Sequence, residues 1–370
     1  MSANSRKIPV TILGATGVVG QRFVRRLVDH PWFEIAHLAA SERSAGRRYA
    51  DACDWRLAGE AYGGLGDRIL VPAEPVAAAA PVVFSALDAA SARELEPAFA
   101  ASGSWLFSNA SAFRMAEDVP LLVPEVNPDH LALVERQQRE RGFRGAIVCN
   151  PNCTATLLAL VLAPLDRAFG VEAAVMSSMQ AVSGAGYPGV PSLDIVGNVV
   201  PYIRGEEEKV EEETGKLLGR RSGDSLRPHP APISALCHRV AVLDGHTEAL
   251  SVRLGGTPTP AQVSDCLAGF RGAAEGERLP SAPAVPLAVH QRPDRPQPRL
   301  DLAETGRRSD GMTVHVGRIR TCPVSGIKLT LVGHNAERGA AGASLLNAEL
   351  AAVRGLLPGG EIAAIVGPSR

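Results

Sequence analysis

Residues 9–28, PVTILGATGVVGQRFVRRLV, decide the fold. An apolar run ends in Gly14-x-x-Gly17-x-x-Gly20. A helical pattern follows, with Val19, Phe23 and Leu27 at helical spacing and Arg22, Arg25 and Arg26 among its polar positions. Glycine lets the backbone turn sharply and approach a pyrophosphate closely, while a helix N-terminus offers unspent N–H groups and the positive end of a dipole. A glycine triplet alone is a weak signal; one that follows the first strand and opens the first helix is a stronger one. The spacing differs from the usual G-x-G-x-x-G, so individual contacts can differ too. The bland alternative is a glycine-rich turn that binds nothing.

Working outward, the first 150 residues alternate short apolar runs with helical patterns, as a parallel α/β sheet requires. Residues 8–13, 34–40, 81–87 and 104–108 read as strands and 91–102 as a helix, before the loop NASAFRM at 109–115. The second strand runs into AASERSAG at 39–46. An NAD enzyme places an acidic residue at this strand end for the ribose hydroxyls. Here Ser41, Arg43 and Ser44 offer hydroxyls and a guanidinium suited to a 2′-phosphate, with Glu42 the one dissenting charge. The expected cofactor is therefore NADP rather than NAD.

The second half has another texture. Strand-like runs occur at 173–182, 239–243, 248–254 and 313–319, with an acidic helical segment at 205–219. The proline-rich stretch 279–298 reads as a long exposed connection, and 340–357 as a closing helix. We expect an NADP-binding domain over 1–152, a mixed catalytic and dimerisation domain over 153–339, and a terminal helix, about 340–370, returning to the first domain.

Composition excludes several classes. The 370 residues are 45% hydrophobic and 21% charged with a net charge of −1, which disfavours nucleic-acid and membrane-surface partners. No secretory signal or membrane-length apolar run is evident, so the expected compartment is the cytoplasm. The six cysteines (Cys53, Cys149, Cys153, Cys237, Cys266 and Cys322) have no framework spacing, and thiols there stay reduced.

Two of these cysteines flank the junction 145-GAIVCNPNCTATLLALVLAPL-165. Cys149 falls inside an apolar strand and reads as a small hydrophobe. Cys153 opens a helix, where the dipole should lower its pKa and make it a nucleophile; a plain core thiol is the equal alternative. A zinc site here would need a second ligand pair, and no other cysteine pair exists, so no metal is expected. A nucleophile needs an acid or base within reach. The best candidate is His246 in CHRVAVLDGHTEAL, at a strand end. His238 reads as structural, and His30, His37, His130, His229, His290 and His315 as surface histidines.

Taken together, GATGVVGQRFV, SNASAFRM, VPEVNPDHL, NPNCTAT, MQAVSGAGYPG, YIRGEEEK, CHRVAVLDGHTE, RPQPRLD and GHNAERGAAG carry a resemblance that runs almost end to end. The sequence resembles the aspartate-semialdehyde dehydrogenases, in their archaeal and fungal branch. The resemblance implies a Rossmann-like dinucleotide-binding domain followed by an α+β catalytic and dimerisation domain. It implies NADPH-dependent conversion of L-aspartyl 4-phosphate to L-aspartate 4-semialdehyde, with release of phosphate, in the aspartate pathway to lysine, threonine, methionine and isoleucine.

By the same resemblance Cys153 is the nucleophile, His246 the acid/base, and Gln180 the residue that orients the thioester, with Asn152 a neighbouring contact. Arg239 suits the substrate α-carboxylate through its planar fork, Glu206 the α-ammonium, and Arg114 and Lys209 the phosphate. The bland reading of Glu206 and Lys209 is a surface salt bridge one helical turn apart. Cofactor contacts carried over are Gly14, Thr16, Gly17, Val18, Val19, Ser44, Ser85, Ser183, Gly184 and Asn335, beside Ser41 and Arg43. A homodimer or homotetramer is implied. The chain departs from the family at His238, commonly Asn, and at VGHN in place of SHN, both beside the site. The rival readings are a related acyl-phosphate or malonyl-CoA-type reductase, and a silent NADP-binding protein. A CoA substrate has no ammonium for Glu206, and a silent protein would have lost the reacting groups.

Overall fold

The computed structural model describes residues 7–302 and 307–358. The chain order begins β1 (Ile8–Leu13), α1 (Val18–Leu27), β2 (Phe33–Ala40), α2 (Tyr49–Ala52), β3 (Val71–Pro72), α3 (Pro75–Ala78), β4 (Val82–Ser85), α4 (Ala89–Ser102), β5 (Trp105–Ser108), α5 (Leu133–Arg141) and β6 (Ala146–Cys149). These strands form one six-stranded sheet in the order β3-β2-β1-β4-β5-β6, parallel throughout. Helices cover both of its faces, which is why runs such as Val82–Ser85 and Ala146–Cys149 are buried at every residue.

The second half continues with α6 (Cys153–Phe169), β7 (Val171–Gln180), α7 (Ser192–Ile195), α8 (Glu206–Leu217), the ribbon β8 (Arg220–Ser222) and β9 (Ser225–Arg227), β10 (Ile233–Arg239) and β11 (His246–Leu254). Then come α9 (Pro260–Gly269), β12 (Leu287–Val289), α10 (Pro298–Asp301), β13 (Val314–Cys322), β14 (Gly326–Gly333) and α11 (Gly342–Val353). The second sheet runs β10-β7-β11-β14-β13-β12; its outer pairs are parallel and its inner pairs antiparallel. Residues alternate along β7, β10 and β11, so one face packs inward and the other turns away. Val175, Met179 and Leu236 stand exposed on the outer face.

Helix α6 is apolar all round, and Leu157, Leu158, Leu160, Val161, Leu162 and Leu165 are fully buried. It packs against α8, α9 and the inner face of the second sheet, so its N-terminus is held where several elements meet. Helix α11 returns to the first sheet, contacting β4 and β5. The stretch of the expected closing helix beyond 358 lies outside the described residues. Among the described residues no helix is long and apolar enough to cross a membrane.

Several expectations are corrected. The strand placed at 239–243 instead ends at Arg239, because small and polar residues at 233–239 hide its alternation, while 240–245 forms the loop before β11. The stretch 279–298 is only partly exposed: Leu279, Ser281 and Leu287 are buried, and β12 lies within it. His30 and His130 are buried rather than on the surface; His30 Nε2 lies 3.0 Å from the buried Glu349 carboxylate. The acidic segment 205–219 is helical as read, and Glu206, Val210, Glu213, Thr214 and Leu217 share a buried stripe of α8 at helical spacing, against a surface salt bridge for Glu206.

Candidate active site

Cys153 is the first residue of α6, and Asn152 is its N-cap. The Asn152 Oδ1 accepts hydrogen bonds from the Thr154 and Ala155 amides at 2.8 and 3.1 Å. Its own amide donates to the Glu213 carboxylate at 2.5 Å, and its Nδ2 donates to Glu206 Oε1 at 2.9 Å. The cap therefore fixes the cysteine backbone and ties it to α8.

His246, the first residue of β11, is fully buried with its Nε2 3.2 Å from Cys153 Sγ. Its Nδ1 accepts the Ala181 amide at 3.1 Å. A ring nitrogen that accepts cannot carry the proton, so the neutral ring holds it on Nε2 and presents it to the sulfur. Burial, with Arg239 and His334 nearby, pushes His246 down to about 3, so the ring is neutral. The histidine is built to donate toward the cysteine rather than to arrive charged.

The cysteine departs from expectation. Its thiol is pushed up to about 12, first by burial and then by Glu206, against the opposing influence of Arg114, Arg239 and Thr154. A helix N-terminus lowers a thiol pKa only while its amides are free to face the sulfur, and here Asn152 occupies two of them. Cys149 is buried in β6 and also raised by burial, as its strand position suggested. All six cysteines are free thiols.

Around this pair the other anticipated residues fall into place to different degrees. Gln180 ends β7, and its Nε2 donates to Thr154 Oγ1 at 2.9 Å and Glu206 Oε1 at 3.1 Å. Arg239 ends β10 beside it, in register with Gln180, and donates to the Ala181 carbonyl at 2.9 Å. Gly184 lies against both reacting neighbours: a Cβ there would sit 2.8 Å from an Arg239 guanidinium nitrogen and 3.1 Å from the His246 ring. Asn335 bridges two loops, donating to Ser183 Oγ at 2.8 Å and accepting from the Gly245 amide at 2.8 Å. Arg114 is turned inward, donating to Glu213 at 3.0 Å and to the Asn109 carbonyl at 2.7 Å. Lys209 is half-buried in the first turns of α8.

The glycine loop lies at the other side of the junction. Gly14 has φ +73°, and Gly17 caps α1 without any side chain over its amides. A Cβ at Gly20 would come within 2.8 Å of Ala15 Cα, so the helix seats on the loop only with glycine there. Thr16 uses its carbonyl to hold Gln21 Nε2 at 3.0 Å, while Val18 and Val19 are half-buried at the start of α1. Ser41, Glu42 and Arg43 are exposed beyond β2, with Ser44 half-buried. Ser85 is fully buried at the end of β4.

Sequence reasoning missed Glu213, Lys216, Glu248 and, beside the anticipated Asn335, the roles of Glu337, Arg338 and Gly339. Lys216 Nζ is buried and donates to the carbonyls of Arg114, Ala116 and Val119 at 2.7, 2.7 and 2.8 Å, which secures the Arg114 loop. Glu248 is fully buried two residues along β11 from His246, and burial together with Glu206 raises its pKa well above the ordinary value. In 334–339, Glu337 binds Arg22, Arg25 and Arg26 of α1, Arg338 grips Glu125 at 2.8 and 2.6 Å, and the Gly339 backbone rests on Cys153. The helical rhythm of α8 would have revealed Glu213. The others depend on pairings far apart in the chain.

Comparison with known proteins follows this geometry. Residues 9–134 match the family described as semialdehyde dehydrogenase, NAD binding domain, and residues 162–337 the semialdehyde dehydrogenase, dimerisation domain. The chain is 50% identical to an aspartate-semialdehyde dehydrogenase of Archaeoglobus fulgidus over 92% of this chain and 97% of that protein. It is 43% identical to one of Cryptococcus neoformans over 95% and 98%. A crystal structure of aspartate-semialdehyde dehydrogenase with NADP from Candida albicans superposes with a TM-score of 0.86 at 39% identity, covering 95% of this chain and 100% of that one. By these matches the chain belongs to the aspartate-semialdehyde dehydrogenase family.

Proposed function

We propose that this protein catalyses the NADPH-dependent reductive dephosphorylation of L-aspartyl 4-phosphate to L-aspartate 4-semialdehyde, reversibly, through a thioacyl enzyme on Cys153. The observation that carries the residue roles is the contact of Cys153 Sγ with His246 Nε2 at 3.2 Å, ringed by Gln180, Arg239 and Glu206.

As a thiolate, its proton released to solvent once before the first cycle, the Cys153 sulfur attacks the acyl carbon, the carbon–oxygen bond to phosphate breaks, and phosphate leaves with its electron pair. Lys209 and Arg114 are the cations assigned to that leaving group. NADPH, when bound, supplies the hydride that reduces the thioester carbonyl. Collapse of the resulting alkoxide expels the sulfur again as thiolate, so the cycle consumes one hydride and needs no net proton at the sulfur. His246, with its proton on Nε2, stabilises the sulfur anion at both ends of this cycle. Gln180, fixed by Thr154 and Glu206, orients the thioacyl group. Glu206 and Arg239 receive the substrate's α-ammonium and α-carboxylate.

The glycine loop fits a dinucleotide by its left-handed Gly14 and its cap without a side chain. Gly14, Thr16, Gly17, Val18 and Val19 would hold the pyrophosphate, Ser41, Arg43 and Ser44 the 2′-phosphate, and Ser183, Gly184 and Asn335 the nicotinamide end. Ser85, enclosed at the end of β4, is assigned to supporting that loop from beneath. We place the domain division at 152/153, with α11 returning to the first domain. A cytoplasmic homodimer, or a doubled form of it, is the assembly we assign; the exposed Val175, Met179 and Leu236 on the second sheet support an apolar interface.

The test is phosphate-dependent NADP+ reduction with L-aspartate 4-semialdehyde. Activity in the parent chain should fall by about 10³-fold or more in Cys153→Ser, with NADPH binding intact. Near-normal turnover in the variant sinks the nucleophile assignment. Activity with malonyl-CoA instead would replace the substrate.

A further inference from the structure

We infer that His290, Asp301 and His315 form a binding site for a divalent transition-metal ion of the zinc type, remote in chemistry from the thiol site. Their ligating atoms are three of the kinds such ions prefer, two imidazole nitrogens and one carboxylate oxygen, and hard cations such as magnesium avoid this set. His290 Nε2 lies 3.0 Å from His315 Nδ1 and 3.4 Å from Asp301 Oδ1, and His315 Nδ1 lies 4.0 Å from the same oxygen. A triangle of those sides has a point about 2 Å from all three atoms, which is the reach of zinc to imidazole nitrogen and carboxylate oxygen.

The site is built by the fold. The parallel pairing of β12 with β13 sets Ala288 opposite His315, and the His290 amide continues the ladder to the Val316 carbonyl at 2.7 Å. Asp301 ends α10 and is almost wholly enclosed, its side chain 1% exposed, whereas His290 and His315 keep 22% and 17%. The carboxylate is oriented from behind by Arg295 Nε at 2.8 Å and by the Gln297 amide at 2.6 Å, the kind of supporting contact that holds a metal ligand in place. Arg295 also bonds Oδ1, which leaves that oxygen a second lone pair. The guanidinium charge so near argues for a modest affinity rather than a very tight one.

His290 also lines a cavity of about 460 Å³ with Gln291, Arg292, Arg318 and Asp265, which gives an ion a path from solvent and leaves room for its remaining ligands. An ion here would staple three pieces of chain: the end of β12, the start of β13, and α10. Pro298 of α10 lies against Gly245, the residue before His246. The staple would therefore stiffen the turn on which the His246 loop rests.

The experiment is equilibrium dialysis of the chelator-treated full chain against Zn²⁺, with elemental analysis, and titration with Co²⁺ followed by its visible absorption. The parent chain and Cys153→Ser should each bind one equivalent with micromolar or tighter affinity. His315→Ala and His290→Gln should both lose it while keeping the NADP+-reduction activity of the chelator-treated parent, which certifies their fold. Binding that disappears in Cys153→Ser but survives both histidine variants would place the ion at the thiol and overturn the inference. So would an absence of stoichiometric binding in the parent chain, which would leave the three residues a hydrogen-bonded group only.

Discussion

The chain turns from strand to helix at Leu13–Val18 and again at Cys149–Cys153, and it treats the two helix N-termini in opposite ways. At the first, Gly17 caps α1 with no side chain, and the turn is shaped by Gly14 at φ +73°. At the second, the Asn152 side chain takes two amides, and Glu206 and Glu213 bring carboxylates to the cap. The first junction keeps the attraction of a helix end for an anion; the second has spent it internally. A helix N-terminus is thus not an activating feature in itself, because what its amides already hold decides what it does to a neighbour. With those amides spent, burial first and Glu206 second leave the thiol near 12, where position alone suggested a lowered value.

One segment reaches both junctions, and breaking it should give the largest effect on stability. Glu337 is fully buried and bonded to Arg22 at 2.7 Å, to Arg25 at 2.8 Å and to Arg26, while Gly339, two residues on, rests against Cys153. Glu337→Gln removes the buried carboxylate that three arginines of α1 share and should cost about 3–5 kcal/mol in denaturant unfolding. The pH dependence has a definite sign. Burial opposes ionisation of Glu337, but Arg26 and Arg22 outweigh it and hold the group below its ordinary value. Its stabilising contribution is therefore fully present above the unfolded-state value of about 4.3 and fades as pH falls below it. A variant whose stability falls with acid as steeply as the parent's would remove Glu337 from that account.

The first junction is broken separately by Gly20→Ala. The new methyl would come within 2.8 Å of Ala15 Cα, so the loop must shift away from α1. We expect KM for NADP+ to rise by about 10-fold or more, while the rate of Cys153 alkylation by iodoacetamide stays at the parent value. A change in both would mean that the two junctions are mechanically one.

How much of this was legible in the sequence follows from the range of the interactions involved. The parallel sheet, the glycine turn, and Cys153 at a helix start were readable because periodicity and turn chemistry act over a few residues. The pairing of Cys153 with His246, 93 positions apart, rested on the place of His246 at a strand end and then on resemblance. Strand β10 was misplaced because Ser234, Cys237 and His238 give its alternation no apolar contrast. The burial of Glu206 and Glu213 was not legible, since composition does not reveal that Asn152 and Arg114 await them on the buried side. Long-range polar pairs such as Arg338 with Glu125 leave no local trace at all.

The second junction can be sharpened in two steps of decreasing size. Asn152→Ala removes the cap and should destabilise the protein by about 1 kcal/mol, while freeing the Thr154 and Ala155 amides to face the sulfur. Glu206→Gln removes the carboxylate that raises the thiol but keeps the size of the side chain. Both should lower the Cys153 pKa, because Glu206 raises it and the freed amides would stabilise the anion. Only the thiolate is alkylated, so the parent rate should climb roughly tenfold per pH unit across the neutral range, with no plateau below about pH 10. Each variant should react a few-fold faster than the parent at any one pH and bend toward its plateau earlier. A parent curve that levels off near neutrality would instead mean that His246 and the helix end already hold a thiolate, and the contrast between the two junctions would collapse.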